Sequence, residues 1–115
     1  MKIVNKQEFY ALPYGTLYSK YAPMNFYGLK IKGDTIYGFS NEPIDFYYED
    51  LIGNVEFDDS NELVGILDKA EKQKTSFPLE YNCSFRDGMF EQEESFAIYE
   101  LTDIYQFIDK LKSLI

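Results

Sequence analysis

Between Thr16 and Asp58 several short segments alternate apolar and polar residues, and Pro and Gly fall between them. That period points successive side chains to opposite faces, which suits strands and not helices. In TLYSKY, 16–21, Leu17, Ser19 and Tyr21 alternate with Thr16, Tyr18 and Lys20, and Pro23 ends the segment. FYGLKIK, 26–32, predicts a second strand with Lys30 and Lys32 on one face. Gly33-Asp34 predicts a two-residue hairpin turn, because Gly tolerates positive φ, and TIYGF, 35–39, is the expected returning strand. Farther on, Ile44, Phe46 and Tyr48 alternate with Asp45, Tyr47 and Glu49, so one set should face a core and the other solvent. Val55-Glu56-Phe57-Asp58 repeats the pattern, with a long loop as the equal alternative.

Three stretches break this period. Val4-Asn5-Lys6-Gln7-Glu8-Phe9 predicts a short helix, capped by Asn5 and Glu8 and stapled by Val4 on Phe9. Pro13 and Gly15 stop it. Residues 60–73 predict a middle helix. Asp59 or Ser60 caps it, Glu62 sits in its first turn, and Leu63, Ile66, Leu67 and Ala70 share one face. Residues 102–115 predict a C-terminal amphipathic helix capped by Thr102, with Ile104, Phe107, Ile108, Leu111 and Leu114 at helical spacing. LEYNCSF, 79–85, and SFAIYE, 95–100, add strands, with Asp87-Gly88 as a turn between them. The sum is a single α+β domain over 1–115. A curved antiparallel sheet of about five to six strands, bent toward a small barrel, carries the three helices.

Eleven Tyr and ten Phe, with no Trp, supply a core that needs no disulfide. Cys83 is alone, which fits a reducing, cytoplasmic setting. No apolar run reaches signal-peptide or membrane-span length. The net charge is −9 and is unevenly placed: residues 1–32 carry +4, residues 33–68 carry ten acids and no base, and residues 87–109 carry seven acids and no base. Such a chain is poorly suited to a phosphate backbone and well suited to a basic partner.

The absence of His removes histidine catalysis and His-ligated metal sites, and no phosphate-binding Gly loop occurs. Asp58-Asp59-Ser60-Asn61-Glu62 has calcium-type oxygen donors, but caps and a first-turn acid explain it better. Cys83, inside an expected strand, reads as a packed residue and not a nucleophile. No enzyme, metal or cofactor is expected.

LPYGTLYSKYAP followed by GLKIKGDTI, together with the later RDGMFEQEESFAIYE, resembles small uncharacterised proteins encoded by phages and prophages. The shared motifs are turns, so the resemblance implies no activity. It implies an accessory or host-directed role.

The expected function is non-enzymatic protein binding, with self-association left open. The candidate surface is Asp45, Tyr47, Tyr48, Glu49, Asp50 and Glu56, joined by Glu91, Glu93 and Glu94. Aromatics ringed by acids would anchor and steer a partner. The alternative is a decoy or inhibitor of a nucleic-acid-binding protein, such as an acidic DNA mimic or a nuclease-immunity protein.

Overall fold

The computed structural model describes residues 1–115. In chain order the elements are β1 (Lys2–Asn5), α1 (Lys6–Tyr10), β2 (Leu17–Ala22), β3 (Asn25–Tyr37), β4 (Pro43–Asp50), β5 (Asn54–Val55), α2 (Ser60–Gln73), β6 (Leu79–Glu80), β7 (Ser84–Arg86), β8 (Ser95–Ile98) and α3 (Leu101–Lys112). Six strands form one antiparallel sheet in the order β1-β8-β2-β3-β4-β7, and β5 pairs with β6 apart from it. The architecture is α+β, as the alternation predicts. The sheet stays open, with β1 and β7 as its edges.

The core is aromatic and is organised by α1. The capping box forms: Glu8 N–H donates to Asn5 Oδ1 at 2.9 Å, and Asn5 N–H to Glu8 Oε1 at 3.2 Å. That one turn delivers Phe9 onto the central strands. Its ring stacks on Phe96 at 3.9 Å and meets Tyr18 and Phe46 edge-on at 4.7 and 4.9 Å. Val4, Tyr10 and Ile98 complete the cluster. Each fully buried side chain of this size contributes about 1.5–3 kcal/mol. The central strands are covered on both faces, since the neighbours Tyr18 and Ser19, and Phe96 and Ala97, are all buried.

The chain does not turn at Gly33-Asp34. β3 runs through it as one long strand, and the pairing with β4 shifts register between Lys32 and Thr35. The pair is a β-bulge, because ladder bonds continue on both sides and Gly33 does not adopt positive φ. The hairpin turns lie at Pro23-Met24, where Met24 has φ 70°, and at residues 38–42, where Asn41 has φ 60°.

Other boundaries also move. Residues 79–85 split between β6, which pairs with β5, and β7, which pairs with β4. Of the expected strand 55–58 only Val55 is in a ladder. β1 was not expected, and it pairs with β8 along its full length. Helix α3 begins one residue early. Glu100, not Thr102, is its N-cap, and its N–H donates to Asp103 Oδ2 at 2.8 Å. Neither α2 nor α3 buries a residue.

Candidate functional site

The bulge makes the most developed surface feature. Gly15 N–H donates to the Lys32 carbonyl and Lys32 N–H to the Thr16 carbonyl, both at 2.8 Å, so the LPYGT turn is laced to IKGDT in β3. Thr16 Oγ1 donates to the Pro13 carbonyl and Thr35 Oγ1 to the Tyr10 carbonyl, which fixes the turn from both ends. Gly33 brings β3 against β4 so closely that a Cβ there would lie 3.0 Å from the Tyr47 carbonyl oxygen. The result is a depression of about 280 Å³ lined by Tyr14, Asp34, Tyr47 and Glu49 among others. A second, of about 520 Å³, shares Tyr14, Lys32, Gly33 and Asp34 with it and reaches Tyr37.

Three tyrosines stand out from this rim: Tyr14 at 68% exposed, Tyr37 at 57% and Tyr47 at 43%. Asp34 is exposed and Glu49 half-exposed, and neither takes part in any of the eight salt bridges. Lys32 lies beneath, 2% exposed. Its ammonium donates to Thr35 Oγ1 at 2.9 Å and to the Gly33 carbonyl at 3.1 Å. Burial pushes the Lys32 ammonium below its ordinary value, and Asp34 opposes this.

Eight of the nine residues expected to form one binding surface separate into four places, and Asp45 is in none of them. Tyr47 and Glu49 belong to the bulge depression. Tyr48 and Asp50 are taken up by Lys30, which lies 4.0 Å over the Tyr48 ring and 3.1 Å from Asp50 Oδ1. Glu56 lines a separate groove of about 360 Å³ with Val55, Phe57, Ile66 and Phe77. Glu91, Glu93 and Glu94 line a shallow cleft with Tyr21 and Tyr27.

Two of these expectations are corrected. Asp45 is not an outward acid. It is 1% exposed, paired with the Arg86 guanidinium, and accepts N–H bonds from Phe46 and Gly88. Burial pushes its carboxyl up, but Arg86 and the two N–H groups outweigh that and hold it below the ordinary carboxylate value. Glu94 is likewise a tether. Its carboxylate lies 3.0 Å from Lys6 and 3.1 Å from Lys20, while Asp87 meets Lys20 at 2.8 Å. Lys6 also donates to the carbonyls of Met89 and Glu91, both at 2.7 Å. Residues 86–94 are thus clasped to the sheet by cations from the first third of the chain.

The Asp58–Glu62 cluster starts a helix. Asp59 Oδ1 accepts from Glu62 N–H at 2.8 Å and Glu62 Oε2 from Asp58 N–H at 2.9 Å. Cys83 is half-buried and free. Tyr14, Asp34 and Tyr37 were missed by sequence reasoning. Their signal was the Gly33-Asp34 pair, which marks a bulge as well as it marks a turn.

The fold and site define an α+β chain with an acid-and-tyrosine rim set on a bulged strand. No family model, curated protein or solved structure matches it. No helix is long and apolar enough to cross a membrane.

Proposed function

We propose that this chain is a non-enzymatic protein-binding module, of the accessory kind its phage resemblance implies, and that it engages a basic partner protein at the bulge rim. The observation that carries this reading is the grouping of three exposed tyrosines around two carboxylates that make no salt bridge. Tyr offers large contact area at low conformational cost, and unpaired carboxylates steer a basic surface toward it. The Lys32 ammonium is held beneath the rim by Thr35 and the Gly33 carbonyl, where its charge partly offsets that of Asp34.

The competing reading, a decoy for a nucleic-acid-binding protein, needs one ridge of free carboxylates. It is the weaker one because Asp45, Asp50, Asp87 and Glu94 are committed to cations of this chain. Affinity capture from the native host at low and high salt separates the two. A partner that survives high salt supports the tyrosine-anchored module. A basic nucleic-acid enzyme lost at high salt supports the decoy.

A further inference from the structure

We infer that the bulge depression recognises an arginine of the basic partner, with the guanidinium lodged between Tyr14 and Tyr47 and paired with Glu49. The inference rests on the rim being the partner surface, and it names the group that surface reads.

Register sets the floor of the depression. Ile31, Glu49 and Ser84 lie directly across from one another on β3, β4 and β7, so their side chains share one face. Tyr47, two residues along β4, joins them on it. Tyr14 closes the depression from the turn before β2. The polar groups lining it are uncommitted. Tyr14, Asp34, Tyr47, Glu49 and Ser84 make no side-chain hydrogen bond or salt bridge. Neither Tyr14 nor Tyr47 stacks on a ring or carries a lysine of this chain.

Charge sets the valence of the occupant. The charged lining is Asp34, Glu49 and Lys32. Lys32 offsets Asp34 from beneath, which leaves one carboxylate, Glu49, for one monovalent cation. The chain already holds an arginine beside Tyr47. Arg86 lies directly across from Tyr47 and pairs with Asp45, two residues before it on β4. Glu49, two residues after Tyr47, faces Ile31 and Ser84 and has no cation. A partner's arginine on that side repeats the Arg86–Asp45 pair about the Tyr47 ring. Arginine suits the site better than lysine. A guanidinium is planar and weakly hydrated, so it stacks on tyrosine faces and takes a carboxylate with two N–H groups at once. An ammonium is strongly hydrated, and a surface depression of about 280 Å³ leaves its water in place.

Amide NMR spectra of the isotopically labelled full chain test this, with three probes: N-acetylarginine amide, N-acetyllysine amide and N-acetylcitrulline amide. The arginine probe should move the Gly33, Asp34, Tyr47 and Glu49 resonances and saturate in the millimolar range. The lysine probe, equal in charge, and the citrulline probe, equal in shape, should each bind at least about fivefold more weakly. This comparison needs no variant. In a Glu49→Gln chain whose spectrum remains that of the folded parent, the arginine probe should bind about tenfold more weakly. Glu56→Gln, outside the depression, should leave it unchanged. Equal response to the arginine and lysine probes, or no movement at these four amides, overturns the arginine assignment. If Tyr47→Ala/Glu49→Gln then still loses affinity for a captured host partner, the rim stands as the partner surface and only the arginine falls. Parent-like affinity of that double variant removes the rim itself.

Discussion

Asp45 has the alternation of an outward residue and the burial of a core one. Period-2 reasoning sorts residues between two faces of a strand, but it does not say whether the second face is wet. Here the second face is covered as well, so Asp45, Ser19 and Ala97 are buried opposite Phe46, Tyr18 and Phe96. The partner that makes Asp45 tolerable is Arg86, 41 residues away, and sequence spacing carries no trace of it. Asp45→Ala should cost about 1.5–3 kcal/mol in urea unfolding, the loss of hydrogen bonds to a charged group. Its carboxyl titrates below the unfolded value of about 3.9, so its stabilisation is whole above that pH and is lost as pH falls through the folded value. Asp45→Asn should therefore lose less stability than the parent on acidification over that window. Tyr18 is the reverse case. Its ring is core and no protein group reaches its buried hydroxyl. Tyr18→Phe should unfold at the same urea concentration or be more stable by about 1 kcal/mol.

At the scale of elements, the caps of α1 and α2 were legible because they are local. Asn5 with Glu8 and Asp59 with Glu62 are three residues apart, and the helix starts need nothing else. The bulge was not legible, because Gly-Asp serves a turn and a bulge equally. The choice is made by the β4 ladder and the LPYGT turn on either side. Gly33→Ala tests that geometry. The new methyl would press on backbone and side chain of Tyr47 at 3.0 and 3.1 Å. It should cost about 1–3 kcal/mol in thermal or urea unfolding and weaken partner binding by displacing Tyr47. The 86–94 clasp gives a different signature. Glu94→Gln removes the shared counter-charge of Lys6 and Lys20. It should cost about 3 kcal/mol and speed proteolysis within residues 86–94 ahead of the sheet. Cleavage rates unchanged from the parent would show that the clasp does not hold this segment.

Over the whole molecule, charges segregated along the sequence become partly paired in space. Lys6, Lys20 and Lys30 from the basic N-terminal third hold Asp50, Asp87 and Glu94 from the two acidic stretches. A one-dimensional charge map therefore overstates the acidic surface, and Asp45 and Glu94 are acids it counts as free that the fold pairs with Arg86, Lys6 and Lys20. The molecule is also extended. Its radius of gyration is 16.9 Å, against about 13 Å for a compact chain of this length. No residue between Tyr47 and Ser95 is buried. Helix and strand content follows from local pattern, but this spread depends on how few long-range apolar contacts α2 and α3 make, which no periodicity reveals. What the extended shape leaves intact is the tyrosine rim on the bulge. The direct measurement of its role is the affinity of a captured host partner for the parent chain and for Tyr47→Ala/Glu49→Gln, with Glu56→Gln as the control outside the rim. A loss of tenfold or more, about 1.4 kcal/mol, in the rim variant and parent-like binding in the control is the expected result. Equal binding by all three, with the variants folded, would contradict the assignment of the rim as the partner surface.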